Sequence, residues 1–139
     1  MKNEKQGVVR EIMMGSPVCL KPEDTLDLAN DIISLGRIRH IPIIDHGRLV
    51  GILSERDLIG ATATHIFGLK QKNKSALLKS FAIKDVMKKR VISVGPDTEI
   101  RDAASIMQKK KIGCVPVLTD GAVIGLVTTT DILRYVEGL

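Results

Sequence analysis

The sequence predicts a mixed α/β (α+β) fold built from two copies of one strand–helix–strand–strand–helix unit. Two observations support this prediction. Residues 8–59 align without a gap with residues 82–133, and nine aligned positions are identical, where about three would be expected by chance. Within each copy, the spacing of apolar residues changes along the chain from helical to strand-like. The chain is therefore an internal duplication of a small unit that contains both helix and sheet.

Each copy begins with a short turn and a brief strand, followed by a proline and a helix whose apolar residues recur at helical spacing. The helices are predicted to begin near Leu26 and Ile100, just after polar residues of the kind that cap a helix. The brief strands are predicted at residues 17–20 and 91–94.

A hairpin of two strands and a closing helix complete each copy. The glycine in each hairpin turn, Gly47 or Gly121, meets the need for a positive φ angle there. The closing helices are predicted to follow the hairpins directly, opening at Glu55 and at Thr129. The predicted hairpin strands are residues 40–45 with 48–54 and residues 114–119 with 122–128.

The duplication predicts a first repeat at residues 8–60, a connector at 61–81 and a second repeat at 82–137. A repeat of about 50 residues buries too little apolar surface to be comfortably stable alone, so we expect the two to pack sheet against sheet as one module. The connector contains lysines and no acidic residue. We interpret it as a solvated connector, and an anion-binding patch is the alternative. Its lysines are Lys70, Lys72, Lys74 and Lys79.

Composition narrows the classes of function. The chain is 44% hydrophobic and 27% charged, which is ordinary for a globular protein, and its aromatic content of 2% argues against the ring platforms that bind single-stranded nucleic acid. The net charge of +5 favours an anionic partner such as a nucleotide, a nucleic acid or a membrane surface. A polar start and short apolar runs indicate neither a signal peptide nor a membrane span, so we expect a cytoplasmic protein. Cys19 and Cys114 lack neighbouring ligands at metal-binding spacing, which favours free thiols over a zinc site.

Both hairpins end in the same polar signature, Gly51–Asp57 in copy one and Gly125–Asp131 in copy two. A hydroxyl residue, Ser54 or Thr128, is followed three residues later by an aspartate. This spacing fits a capping box at the start of a helix. It also fits a ligand site, because a helix N-terminus attracts phosphate and an aspartate one turn later can accept hydrogen bonds from ribose hydroxyls. The spacing alone favours capping.

A second repeated element is the proline near the start of each hairpin, Pro42 or Pro116. Proline removes one backbone donor, so neighbouring backbone groups can be left for the edge of a ligand, and the apolar residue before it suits a flat base. The alternative is an edge-strand proline among core side chains.

Taken together, these motifs resemble the tandem cystathionine-β-synthase (CBS) domain pair over about residues 8–137. The resemblance implies a disk with pseudo-twofold symmetry and two clefts between the units, which commonly bind AMP, ADP, ATP or S-adenosylmethionine. The matching motifs are Ile12-Met13 and Val86-Met87, Ile41-Pro42-Ile43 and Val115-Pro116-Val117, and the two Gly-x-x-Ser/Thr-x-x-Asp endings.

The resemblance also implies roles for individual residues. Asp57 and Asp131 are the expected ribose ligands. The expected phosphate or ribose contacts are Ser54, Arg39, His40 and Arg56 in copy one, and Thr128 and Thr130 in copy two. Copy two has Gly113 and Cys114 where copy one has Arg39 and His40, so the two clefts should differ in charge. The expected adenine contacts are Val18, Ile41, Pro42, Ile92, Val115 and Pro116.

We therefore expect a regulatory or energy-sensing module that binds adenine nucleotides and acts on an unknown partner protein. Ser54 and Asp57 lack a partnered base, and no phosphate-binding glycine loop is present, so we expect neither an enzyme nor a catalytic cofactor or metal. The alternatives are an S-adenosylmethionine sensor, a nucleic-acid-binding protein and a purely structural dimerisation module.

The closing helices predict a homodimer, because their apolar residues exceed what one small sheet pair needs for its core. These residues are Leu58, Ile59, Ala63, Ile66, Ile132, Leu133, Tyr135 and Val136.

Overall fold

The structure, a computed structural model, describes residues 7–36, 38–66 and 71–139, apart from the side chains of residues 64–66 and 71–72. The contacts between residues divide the chain into two compact units. The Asp57 unit is Val18–Val91, and the Asp131 unit combines the residues up to Pro17 with Ile92–Leu139. Each unit contains helices and strands, which confirms the mixed α/β class.

After the first strand of each copy, the helices and strands follow the predicted order, and β1 and a helix in the connector are additional. In chain order they are β1 (Met14–Gly15), α1 (Leu26–Gly36), β2 (His40–Asp45), β3 (Arg48–Ser54), α2 (Glu55–Ile66), α3 (Gln71–Lys79), α4 (Ile100–Lys110), β4 (Cys114–Thr119), β5 (Ala122–Thr128) and α5 (Thr129–Glu137). Within these described residues, no helix combines the length and the apolar character needed to cross a bilayer.

The two hairpins confirm the predicted strands and share one geometry. Strands β2 and β3 pair antiparallel, as do β4 and β5, and each pair shifts register at the same repeat position, after Ile43 and after Val117. Both residues of each two-residue turn have positive φ, 51° and 79° in one hairpin and 50° and 85° in the other. Positive φ at both positions is the type I′ turn, whose twist matches that of the strands it joins.

The brief strands predicted at 17–20 and 91–94 are wrong. Each is reduced to one residue, Leu20 or Val94, that forms an isolated parallel bridge to Ile43 or Val117. The chain turns away immediately afterwards, because the Asp24 carboxylate accepts a hydrogen bond from the backbone N–H of Lys21 (2.8 Å). The Thr98 hydroxyl makes the equivalent bond with the N–H of Gly95 (3.1 Å).

The segments with which the two copies begin are exchanged between the units. We call residues 7–17 and 81–91 the entry segments; each contains a turn of 3₁₀ helix, at Val9–Glu11 and Ile83–Asp85. The first entry segment closes the start of α4, where the N–H of Ile100 donates to the carbonyl of Gly7 (2.9 Å). The second closes the start of α1, where the N–H of Leu26 donates to the carbonyl of Phe81 (3.1 Å).

Ion pairs and core side chains follow the same exchange. Arg10 of the first entry segment pairs with Asp97, and Lys84 of the second lies 3.9 Å from Glu23. Val9 and Ile83 are fully buried, each in the core of the unit its entry segment joins. Fully buried residues of the Asp57 unit also include Leu26, Ile41, Ile43 and Leu53, and those of the Asp131 unit include Ala103, Val115, Val117 and Val127.

The connector is partly helical. Helix α2 extends to Ile66, and α3 packs against both α1 and α2 with Leu78 buried in the core of the Asp57 unit. Lys74 and Lys79 line a groove of about 510 Å³ between these three helices, which Asp27 and Asp31 also line. Lys70 and the side chain of Lys72 lie outside the described residues. The described connector lysines therefore share their surroundings with acidic groups.

Candidate functional site

Both repeats of the polar signature form a capping box at a strand-to-helix junction. In the Asp57 unit, the N–H of Asp57 donates to the Ser54 hydroxyl (3.0 Å), and the N–H of Ser54 donates to Oδ2 of Asp57 (3.4 Å). In the Asp131 unit, the N–H of Asp131 donates to the Thr128 hydroxyl (3.4 Å) and the N–H of Thr128 to Oδ2 of Asp131 (2.8 Å). The capping interpretation is therefore correct for the backbone, and it uses one carboxylate oxygen of each aspartate.

The second oxygen of each carboxylate faces a cation. Oδ1 of Asp57 lies 3.1 Å from Nζ of Lys88, and Oδ1 of Asp131 lies 3.5 Å from Nη1 of Arg134. The aspartate side chains are 16% and 14% exposed, whereas the two cationic side chains are mostly exposed. Each aspartate is thus held in place by its cap, while the side chain of its partner cation is exposed to solvent.

The sequence prediction missed Lys88 and Arg134, and the duplication explains why. Lys88 aligns with Met14, and Arg134 aligns with Gly60, so neither cation is repeated. Arg134 could have been found from its position three residues after Asp131 on the same helix. Lys88 gave no local signal, because it reaches Asp57 only through the exchange of the entry segments.

Backbone pairing brings the entry segments to the signature. The N–H and carbonyl of Lys88 both bond to Ile52 of β3 (2.9 and 3.0 Å), and β1 pairs Met14 with Leu126 of β5. Residue 88 and residue 14 therefore occupy equivalent places along the last strand of each hairpin. Lys88 brings an ammonium group to this place in the Asp57 unit, and Met14 brings a thioether to it in the Asp131 unit.

The repeated glycine of the signature allows this approach. A Cβ atom at Gly51 would collide with Sδ of Met87 and come within 2.9 Å of the carbonyl oxygen of Lys88. A Cβ atom at Gly125 would collide with Sδ of Met13 and come within 3.0 Å of the next carbonyl oxygen in that segment. The glycines and the methionines repeat together because they form one contact in each unit.

The residue opposite each hydroxyl also differs between the units. His40 pairs with Ser54 across the hairpin, and Cys114 pairs with Thr128. Burial lowers the pKa of His40; Asp57 opposes this shift, and nearby Lys88 adds to it, as does Arg39. Burial raises the pKa of Cys114 to about 12, and the charge of Asp131 adds to that shift. Near neutral pH both side chains are therefore uncharged.

The remaining predicted phosphate contacts lie at the same junctions. Arg39 and Arg56 are exposed, and the carbonyl of Arg39 accepts a hydrogen bond from the first N–H of α2 (2.9 Å). Gly113 makes the equivalent bond to the first N–H of α5 (3.1 Å), and Thr130 is exposed in the first turn of that helix. The structure thus places these residues beside the capping boxes.

Four of the six predicted adenine contacts are buried. Ile41 and Val115 are fully inaccessible and belong to the cores, because alternation along each strand turns them inward with Ile43 and Val117. Their side chains therefore offer no accessible surface in this structure, and their assignment as adenine contacts stays a prediction. Pro42 and Pro116 are buried as well, whereas Val18 is 45% exposed and Ile92 is half-buried.

The described part of the chain contains no group of three or more His, Cys, Asp or Glu side chains that could hold a metal ion.

The chain is similar in sequence to known proteins. Over 128 residues the chain is 28% identical to a CBS domain-containing protein of Dictyostelium discoideum. The match covers 91% of this chain and 88% of that protein. The chain is 31% identical over 143 residues to inosine-5'-monophosphate dehydrogenase of Staphylococcus aureus. That match covers 99% of this chain but only 25% of the dehydrogenase, so the chain corresponds to about a quarter of that enzyme.

Among solved structures, the chain is similar to the CBS domain pair of protein MJ0100, which is in complex with 5'-methylthioadenosine and S-adenosyl-L-methionine. The TM-score is 0.81 with 30% sequence identity, and the match covers 96% of this chain and 98% of that one. The family model of the CBS domain matches residues 9–63 and again residues 83–138. The chain therefore belongs to the CBS domain family and carries two copies of that domain.

Proposed function

We propose that the chain is a regulatory module that binds adenine nucleotides (AMP, ADP or ATP) at the Asp57 and Asp131 sites and passes the state of these sites to a partner protein. The observation that supports this most strongly is the repeated aspartate at a helix N-terminus, with one carboxylate oxygen in the cap and the other facing a cation. A carboxylate held in this way can accept hydrogen bonds from both hydroxyls of a ribose. The helix N-terminus and the nearby cation attract phosphate.

The other predicted residues take supporting roles in this proposal. Ser54 and Thr128 contact ribose or phosphate, and Val18 and Ile92 offer accessible apolar surface to the adenine. The buried residues of the hairpins contribute through their backbone, because their side chains are committed to the cores.

S-adenosylmethionine is the second candidate ligand. The related MJ0100 pair is in complex with two adenosine compounds that lack phosphate, 5'-methylthioadenosine and S-adenosylmethionine. Both share the ribose and adenine contacts proposed here. The positive sulfonium gains nothing from the cations beside Asp57 and Asp131, which is why this ligand stands second.

We propose a regulatory rather than a catalytic role in the cytoplasm, with no catalytic cofactor. The chain spans only 25% of the related dehydrogenase, so the activity of that enzyme is not carried over. The activity of the regulated protein should change with the ligand that this module binds.

We also propose that two copies of the chain associate through the closing helices. Ile59 and Leu133 occupy the same position in the two repeats and are 54% and 63% exposed, and Val136 is 55% exposed. Leu58 is instead buried, and Ile132 and Tyr135 pack against the core of the Asp131 unit. Ala63 is exposed, and the side chain of Ile66 lies outside the described residues.

Calorimetric titration of wild type, Asp57→Ala and Asp131→Ala with AMP tests the ligand proposal. Each substitution should weaken one site by about 1.5–3 kcal/mol, the range for hydrogen bonds to a charged group. A panel of ADP, ATP, S-adenosylmethionine and NADH, followed by thermal shift, ranks the ligands, because binding to the native state raises the melting temperature.

Because both aspartates also cap helices, Asp57→Glu and Asp131→Glu are the matched controls. Glutamate suits the third position of a capping box, so these variants keep the helix start while displacing the carboxylate by the length of one methylene group. Lost affinity with retained stability supports the proposal. Unchanged AMP affinity in both alanine variants returns the aspartates to a purely structural role, and binding that depends steeply on salt favours the nucleic-acid alternative.

A further inference from the structure

We propose that Lys88 makes the Asp57 site selective for adenosine ligands that carry a phosphate, through a contact that Met14 cannot make at the Asp131 site. This inference rests on the proposed function and assigns a ligand class to the Asp57 site. It depends on Lys88, which aligns with the neutral Met14 of the other repeat.

The position of Lys88 is fixed by its backbone while its charge is free to move. Two hydrogen bonds tie its backbone to Ile52, two residues before the Ser54 cap. The ammonium group lies 3.1 Å from Oδ1 of Asp57, and the side chain is 64% exposed. The charge therefore stands beside the carboxylate and can swing to a neighbouring anion without any change in the backbone.

Among the described residues, Lys88 is the cation that forms an ion pair with Asp57. His40 is predominantly neutral near pH 7, because burial lowers its pKa; Asp57 opposes this shift, and the positive charges of Lys88 and Arg39 add to it. Arg39 is exposed. The Lys88 ammonium is thus the positive group that directly faces the carboxylate of Asp57, with Arg39 and Arg56 beside the same junction.

Ligand binding would exchange the partners of this ion pair. When ribose hydroxyls donate to Asp57, the carboxylate is shared and Lys88 loses part of its interaction. A phosphate on the same ligand restores a charge-assisted hydrogen bond to the ammonium, whereas adenosine offers no replacement. The site should therefore prefer AMP to adenosine.

The Asp131 site has no cation at the equivalent place on its entry segment. Met14 is held beside β5 by the equivalent backbone pairing, but its thioether carries no charge and donates no hydrogen bond. The counter-charge of Asp131 comes instead from Arg134, three residues later on its own helix, and Cys114 stays protonated. A ligand without phosphate loses nothing at the position of Met14.

The test exchanges the two residues. Titrations of AMP and adenosine into Asp131→Ala isolate the Asp57 site, and Lys88→Met is then added. We expect AMP affinity to fall about tenfold and adenosine affinity to change less than about twofold, since one charge-assisted contact is removed. In Asp57→Ala, adding Met14→Lys should raise the preference for AMP over adenosine about tenfold at the Asp131 site.

Two control variants separate charge from structure. Lys89→Met makes the same change one residue later and should leave both affinities unchanged, and Lys88→Arg should retain the preference for AMP. Thermal melts of every variant identify any loss of folding.

Each outcome decides the question. Equal loss of AMP and adenosine in Lys88→Met shows that Lys88 only positions Asp57, which overturns the selectivity. Unchanged binding of both ligands also overturns it while leaving the proposed function intact. Absence of binding of AMP, adenosine and S-adenosylmethionine to the wild-type chain overturns the proposed function and this inference together.

Discussion

The two signatures share a backbone and differ in charge. Residues that repeat between the units carry the geometry: the capping pair, the glycine that lets an entry segment approach, and the methionine that fills that approach. Residues that set the charge do not repeat: Lys88 aligns with Met14, Gly60 with Arg134, His40 with Cys114 and Arg39 with Gly113. The repeated residues therefore identify the scaffold, and the unrepeated residues around them are where differences in ligand preference should be sought.

The largest expected difference between the halves is in self-association. Ile59 and Leu133 are equivalent exposed positions, but Val136, which is also exposed, aligns with Thr62, which is buried with its hydroxyl bonded to the carbonyl of Leu58. The apolar surface of α5 is therefore broader. Leu133→Glu should weaken the dimer about a hundredfold or more, because it buries an unpaired charge, and Ile59→Glu should weaken it less.

Sedimentation equilibrium at micromolar concentration measures both variants. The exposed Leu35 on α1 supplies the control, since Leu35→Glu adds the same charge outside the closing helices. A wild-type chain that sediments as a monomer would sink the dimer proposal, and equal effects of the two variants would show that both halves contribute alike.

An intermediate effect tests what the two units have in common. Gly51→Ala and Gly125→Ala should each lower the free energy of unfolding by about 1–3 kcal/mol, because the new methyl group overpacks the contact with a methionine of the entry segment. The two losses should be similar, since the two contacts are equivalent. Urea denaturation followed by circular dichroism measures them.

Gly60→Ala is the matched control for these variants. Gly60 lies inside α2 with open space where its Cβ would be, so alanine there should stabilise the protein by up to about 1 kcal/mol through helix propensity. If Gly51→Ala is as harmless as Gly60→Ala, the entry segment does not approach as closely as described.

The smallest expected effect is a dependence on pH that only the Asp57 unit shows. Folding lowers the pKa of His40 below its ordinary value of 6.5, so the unfolded chain takes up a proton before the folded chain does. The free energy of unfolding should therefore fall as the pH drops through 6.5 and level off below the folded pKa. His40→Cys, which copies the Asp131 unit, should reduce this slope in urea titrations between pH 7.5 and 5. A slope that is unchanged in His40→Cys would assign the effect to other groups.

The sequence predicted most of the fold because local signals decided it. The hairpin strands were correct at both ends, since a glycine turn fixes the register from which each strand is counted. The brief strands at 17–20 and 91–94 failed, because the turns capped by Asp24 and Thr98 end the pairing after one residue. Such a side-chain cap competes with strand pairing and is not visible in the pattern of apolar residues.

The site was harder to predict than the fold. Asp57, Asp131 and their hydroxyl partners were found because they repeat, and the repeated spacing is independent of how the units are assembled. An alignment of the two copies shows which residues correspond, but not which unit each segment joins, so Lys88 was missed. Ile41 and Val115 were expected at the adenine because of their position next to a proline, whereas strand alternation turns their side chains into the cores, which the position of the proline does not reveal.

Because the entry segments are exchanged, we expect the two units to fold at different times during synthesis. The Asp57 unit is continuous, so it is complete once Val91 has left the ribosome. In the Asp131 unit, the entry segment is made before the Asp57 unit and its partner β5 is made after it, so the entry segment must wait for β5, because Met14 pairs with Leu126. Domains generally fold as they emerge, so we expect the Asp57 unit to form first and to replace a long flexible loop between those partners with a compact body. Until the Asp131 unit forms, the side chain of Val9 cannot be buried in its core. Removal of the first entry segment should therefore lower the stability of the Asp131 unit.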